Sequence, residues 1–414
     1  MKEIGKHWLL TMACLVCSLC SWAQNDSLWV LNGRVEDAKT HKAIASVSIM
    51  SNRVGTVTNA DGEFVLKLSD EPREVVFSCL GYQSRHLTAA ECKSLQQQGR
   101  AVRLQPSSVM LSEVVVEGHE ARDVVLRAID KITQNYPKEP NLMRGFYRET
   151  VQKRSRFVSI AEGVVDVYKT GYQKNDYRDG VKILKGRRLL SQRASDTLAV
   201  KLQGGPVLPI ILDLVKDREI LLNEEELNKY SLRFRTPEMT DGRMQYVVEL
   251  TPRITEFYAL WTGLLYIDRE TLAFTKIDLS LDMSNRDKVT EMILRKKPFS
   301  LRFTPHELTV TADYVTDDGV TRLNYIRNVI RFRCDWKRKL FKSNFNIVSE
   351  MVVTDRQEGP DIRPIKVRDS FFRHDNFYDK VIYFEDPDFW GSENIIEPTE
   401  DLMKGIDKIK KRLK

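Results

Sequence analysis

The segment IRFRCDWKRKLFK places Ile330, Phe332, Cys334 and Trp336 at alternate positions against Arg331, Arg333 and Lys337, with Asp335 among them. On an extended strand this spacing separates an apolar face from a cationic one. Cations beside aromatic rings can hold phosphate head groups or acidic sugars. The same pattern also describes a solvated face backed by a core. A second alternation lies in WTGLLYID, where Trp261, Gly263, Leu265 and Ile267 stand against Thr262, Leu264 and Tyr266. The candidate binding residues are therefore Trp261, Leu265, Arg331, Arg333, Trp336 and Lys337. No cofactor is implied.

Other chemistry-bearing stretches offer less. GTVTNADGEF (Gly55–Phe64) carries acidic and glycine residues, yet no helix with Lys and Ser or Thr follows, as a phosphate loop needs. One Asp and one Glu fall short of a calcium loop, so Asn59-Ala60-Asp61-Gly62 reads as a turn between strands. His119 and Asp123 can share a helix face but lack a third metal ligand. Zinc-peptidase His-Glu motifs and a Gly-x-Ser-x-Gly elbow are missing, and there are six histidines in all. The expectation is a protein that is not an enzyme.

The chain has 414 residues, 42% hydrophobic and 30% charged, and a formal charge of +7. That excess of cations is mild and interspersed with acids, a weak case for nucleic acid. It suits anionic lipid, lipopolysaccharide or acidic glycan as well. The N-terminus has Lys2 and Lys6, an apolar stretch from Trp8 to Leu19, and Ser21-Trp22-Ala23 before Gln24. This reads as a secretory signal over residues 1–23, cut after Ala23. A lipid-anchored Cys is the competing reading. Cleavage leaves Cys79, Cys92 and Cys334, an odd number at spacings that match no zinc set, expected as core or half-buried thiols.

These side chains need elements to position them. Residues 24–105 read as short strands with regular turn signals, an Ig-like β-sandwich. Residues 106–120 read as a linker carrying Val114-Val115-Val116. Residues 121–355 open with a helix whose apolar stripe is Val125, Leu126, Ala128, Ile129 and Ile132, ended by Pro137. Long antiparallel strands follow, with hairpins at Asp268–Thr271 and Asp317–Gly319. Residues 356–414 form a tail whose basic helix, striped by Leu402, Ile406, Ile409 and Leu413, docks on its own domain or lies on an anionic membrane. The fold class is mainly β: a sandwich, a helix, then a larger curved antiparallel sheet, or half-barrel. The apolar insert GGPVLPIILDLVKDREILL is either a lid over a cavity in that sheet or a core segment.

Gly33-Arg34-Val35, Ala43–Val47, Gly55-Thr56, Asn59–Phe64 and Ser78–Tyr82 together resemble the carboxypeptidase-regulatory-like domain, a transthyretin-like β-sandwich. The resemblance implies fold and compartment, since members stand at the N-terminus of outer-membrane proteins including TonB-dependent transporters. It implies no peptidase activity. The junction Ser107–Gly118 resembles the segment that links this sandwich to the next domain in such proteins. Tyr246–Asp282 resembles the half-barrel of lipoprotein carriers and outer-membrane lipoprotein-sorting proteins, whose inner face shields acyl chains. The expected function is a non-catalytic periplasmic or outer-membrane-associated protein of a Gram-negative envelope. It would bind a lipid or lipoprotein, or assist assembly of an outer-membrane partner. An interaction module presenting a glycan- or transporter-binding sandwich, and an unrecognised hydrolase, are the alternatives.

Overall fold

In the computed structural model the described residues are 28–107, 120–173, 179–191, 204–240, 242–294, 300–336, 342–386 and 391–411. Seven short strands come first: β1 (Trp29–Asp37), β2 (Ser48–Ser51), β3 (Val54–Val57), β4 (Glu63–Leu68), β5 (Glu74–Ser78), β6 (Arg85–Thr88) and β7 (Val102–Leu104), with helix α1 (Ala89–Gln97) between the last two. They form two sheets, ordered β4-β1-β7 and β3-β2-β5-β6. Val35, Val47, Ile49, Phe64, Leu66 and Phe77 fill the space between them.

The Gly55–Phe64 stretch is a turn of a different kind from a hairpin. Its flanking strands β3 and β4 belong to different sheets, so the chain crosses the sandwich there. Asn59 Oδ1 accepts from the Asp61 and Glu63 amides, both at 2.9 Å. Gly62 has φ +77°, and a Cβ there would lie 2.7 Å from the Val35 carbonyl oxygen. Only glycine fits so close a left-handed turn.

After α2 (Ala121–Asn135) the chain builds one ten-stranded antiparallel sheet from β8 (Asn141–Lys153), β9 (Arg156–Lys169), β10 (Gly180–Leu190), β11 (Tyr230–Thr240), β12 (Arg243–Pro252), β13 (Trp261–Asp268), β14 (Phe274–Leu281), β15 (Leu301–Asp317), β16 (Val320–Trp336) and β17 (Ser343–Glu358). Its order is β10-β9-β8-β17-β16-β15-β14-β13-β12-β11. Short helices α3 (Leu208–Ile211), α4 (Glu224–Leu227), α5 (Arg286–Ile293) and α6 (Phe377–Val381) lie around it, and α7 (Glu400–Lys410) closes the chain.

The sheet bends because extra residues interrupt its ladders, among them breaks at Ile183/Lys185, Arg235/Glu238 and Val353/Asp355. Both ends of the sheet reach one core around α2. Val125, Ala128 and Ile132 of the helix share a cluster with Val165 of β9, Leu250 of β12, Ile277 of β14 and Met351 of β17. The other face of the sheet meets the sandwich and the tail. Val57 packs with Phe146, Val352, Ile395 and Ile396, and the α7 side chains Leu402, Ile406 and Ile409 pack on Ile160. The tail helix thus docks on its own chain. The three cysteines among the described residues are free, Cys79 half-buried and Cys92 and Cys334 buried.

Candidate functional site

The hollow of the sheet is filled by two elements. One is α2. The other is the proline-bearing insert, which buries Ile210, Leu214, Val215, Leu221 and Leu222 in the same core. Of its two expected roles, it takes the core one over most of its length. Arg122 of α2 holds the segment that follows the insert, donating to the Leu227 and Tyr230 carbonyls at 2.8 and 3.0 Å.

A charged residue in so apolar a run needs partners, and Asp213 has several. Its carboxylate pairs with the Lys169 ammonium, both fully buried. It also accepts from the Tyr172 hydroxyl at 2.6 Å and the Tyr314 hydroxyl at 2.7 Å. Burial pushes this carboxyl up, but the Lys169 charge and the three hydrogen bonds outweigh it and hold Asp213 below the usual carboxylate range. Next to it Lys216 donates to Thr170 Oγ1 at 2.7 Å and the Gly171 carbonyl at 2.5 Å.

Above this polar hub the filling is incomplete. A cavity of about 270 Å³ lies between the start of β10, the insert and residues 371–373. Val181, Val207, Ile210, Ile211, Phe371 and Phe372 supply apolar walls, and Asp179, Lys216, Asp217 and Arg373 supply charge. Phe371 closes one side by donating its amide to the Val181 carbonyl at 2.7 Å. That contact also covers the free edge of β10, which an unpaired strand otherwise exposes. Phe372 is 41% exposed, stacked at 5.5 Å on His374. Burial, with the Glu219 and Asp213 carboxylates nearby, raises the Asp217 carboxyl. Apolar walls with a rim of both charge signs suit a small amphipathic molecule.

Of the six residues singled out from the sequence, none of those whose side chains are described lines this cavity. Trp261 and Leu265 are buried in the main core of the sheet, and the Trp261 amide donates to the Tyr230 hydroxyl. Arg331 pairs with Glu307 at 2.9 Å on the side of β16 opposite Ile330 and Phe332. Arg333 lies two residues on, along the same face of the strand. Trp336 ends β16, with its side chain outside the description, and Lys337, like His119, lies outside the described residues. The structure thus aligns Arg331 and Arg333 but sets Trp261 and Leu265 apart from them. The residues that line the cavity were missed. The signal for them was a lone Asp213 inside PVLPIILDLV, since a charge there has to find a buried partner.

Residues 31–116 match the family model of the CarboxypepD_reg-like domain, so the sandwich is a domain of that type. No curated protein matches the chain by sequence. Solved structures similar to it include a DUF1329 family protein from Desulfovibrio piger, 10% identical, covering 59% of this chain and 96% of that one with a TM-score of 0.25. A putative outer membrane lipoprotein-sorting protein domain from Vibrio parahaemolyticus is 11% identical over 59% of this chain and 95% of that one, TM-score 0.25. A LolA superfamily protein from Nitrosomonas europaea is 13% identical over 58% and 97%, TM-score 0.19. The large sheet resembles these at the level of fold, distantly.

Proposed function

We propose that this chain is a non-catalytic protein of the cell envelope that binds an amphipathic ligand, a lipid or a lipid-anchored chain. Its apolar part enters the cavity between Val181, Ile211 and Phe371, and its polar head meets the rim of Lys216, Asp217 and Arg373. The observation that carries this reading is the cavity itself, with apolar walls and charged mouth. Burying a chain of about eight methylenes there gains about 6 kcal/mol, enough for reversible binding. In this reading the chain acts outside the cytoplasm, and the signal-like sequence of residues 1–23 supports it.

A second reading rests on the sandwich. A polar cleft of about 1200 Å³ runs along β1, β4 and the end of α1, lined by Arg34, Arg85, Arg100 and Arg103 as well as by Glu36 and Glu63. Such a groove suits a glycan or an outer-membrane partner, with the large sheet as support. Mass spectrometry of solvent extracts from protein purified out of envelope fractions separates the two. Lipid at one per chain is the result expected of the first reading. Glycan or a transporter with no lipid contradicts it and favours the second.

A further inference from the structure

The outer strands of the large sheet are β10 and β11. Phe371 and Glu385 bridge to β10 at Val181 and Gly186. Among the described residues only β12 pairs with β11. An unpaired edge offers a row of N–H and C=O groups to another strand. One bond shows which groups face outward. The Arg253 amide donates to the Lys229 carbonyl at 2.9 Å, one residue beyond the Tyr230/Pro252 pair. Antiparallel pairs alternate between hydrogen-bonded and not, so the backbone groups of Tyr230, Leu232 and Phe234 turn away from β12. Arg122 takes the Tyr230 carbonyl at 3.0 Å. Those of Leu232 and Phe234 are left for a further strand.

A groove of about 430 Å³ runs along this edge. Residues 230–234 line it consecutively, which makes the wall a strand's edge and not one of its faces, and Glu120, Arg122 and Arg253 complete it. Leu232 and Phe234 pack against the main core, so Arg233 and Arg235 lie on the opposite face of the strand, both exposed. Arg235 is paired with Glu249. Farther along, the ladder breaks between Arg235 and Glu238, and the Gly81 amide donates to the Met239 carbonyl at 2.9 Å. The open stretch is therefore the first half of β11. Three arginines against one glutamate make its lining cationic. A second copy of β11 would set arginines against one another, and like charges across a strand pair destabilise it. A strand bearing acids is attracted instead.

We propose that the edge of β11 takes an extended segment of a partner protein in which acidic and apolar residues alternate. The segment's backbone pairs with Leu232 and Phe234, its apolar side chains continue their face, and its acids meet Arg233 and Arg253. This surface lies at the other edge of the sheet from the cavity beside β10 and shares no lining residue with it.

The test measures the fluorescence anisotropy of labelled peptides TEVEVEVT and TKVKVKVT mixed with the full chain. The expected result is tighter binding of the acidic peptide by about tenfold, weakened by salt. Arg233→Glu, at an exposed position, removes that preference. N-methylation of one alternate set of peptide amides abolishes binding and of the other set leaves it, because one side alone of the added strand meets β11. Equal affinity for the two peptides overturns the acidic partner, and equal binding of the two methylated forms overturns the strand pairing. No binding of the acidic peptide, or binding only once residues 108–116 are replaced by glycine and serine, which would put the chain's own linker on this edge, overturns the proposal.

Discussion

At the residue scale, two buried carboxyls behave in opposite ways. Asp213 has a cation, and among the described residues Glu149 has none. Removing Asp213 leaves Lys169 charged and unpaired in the core, with two tyrosine hydroxyls lacking their acceptor. Asp213→Ala is expected to cost about 3–5 kcal/mol, read as a lowered urea midpoint. For Glu149, burial pushes the carboxyl up to about 7, against the pull of its bond from Tyr147. The folded chain then keeps a proton that the unfolded chain releases near pH 4.5. Its contribution to stability is full below that pH and is lost as pH rises toward 7, a fall of about 3 kcal/mol. Glu149→Gln removes this part of the slope, so thermal melts between pH 5 and 8 should be flatter for the variant. Melts that fall in parallel for both proteins would contradict the assignment.

At the element scale, hairpins and the helix were legible because local chemistry sets them. Asp268 Oδ1 accepts from the Glu270 and Thr271 amides and makes the expected turn. Asp318 and Gly319 both take positive φ at the other hairpin, and the α2 stripe faces the core through Val125, Ala128 and Ile132. The β3–β4 turn was legible as a turn but not as a crossing between sheets, because the partners of each strand are far away in sequence. Trp261 and Leu265 show the same limit: alternation assigns them a face, while what fills the space opposite is decided by the insert and α2. Gly263, read simply as one member of that alternation, has a special backbone. It has φ +148°, and a Cβ there would lie 2.1 Å from the Asp278 carbonyl oxygen. Gly263→Ala should destabilise by about 2 kcal/mol or more, and a denaturant midpoint equal to that of the parent would contradict this.

At the scale of the whole molecule, the tail joins the sandwich to the sheet. Asn394 pairs with both backbone groups of Lys67 on β4, at 2.7 and 2.8 Å. Asp61, in the turn that crosses the sandwich, accepts from the Glu400 amide at the start of α7 at 2.9 Å. Arg148 reaches the Ile396 carbonyl at 2.6 Å while paired with Glu162. None of the tail's bonds was readable from sequence, since each of them spans some hundreds of residues. Asn394→Ala should weaken the joint by about 1–2 kcal/mol and split one calorimetric unfolding transition into two. The account depends most on the cavity beside β10, so the most direct measurement is the intact mass of the native chain from envelope fractions. It is made on the parent and on Ile211→Trp, whose larger side chain fills the cavity. The account predicts one added lipid mass on the parent and none on the variant. An identical adduct on both, or none on either, would contradict it.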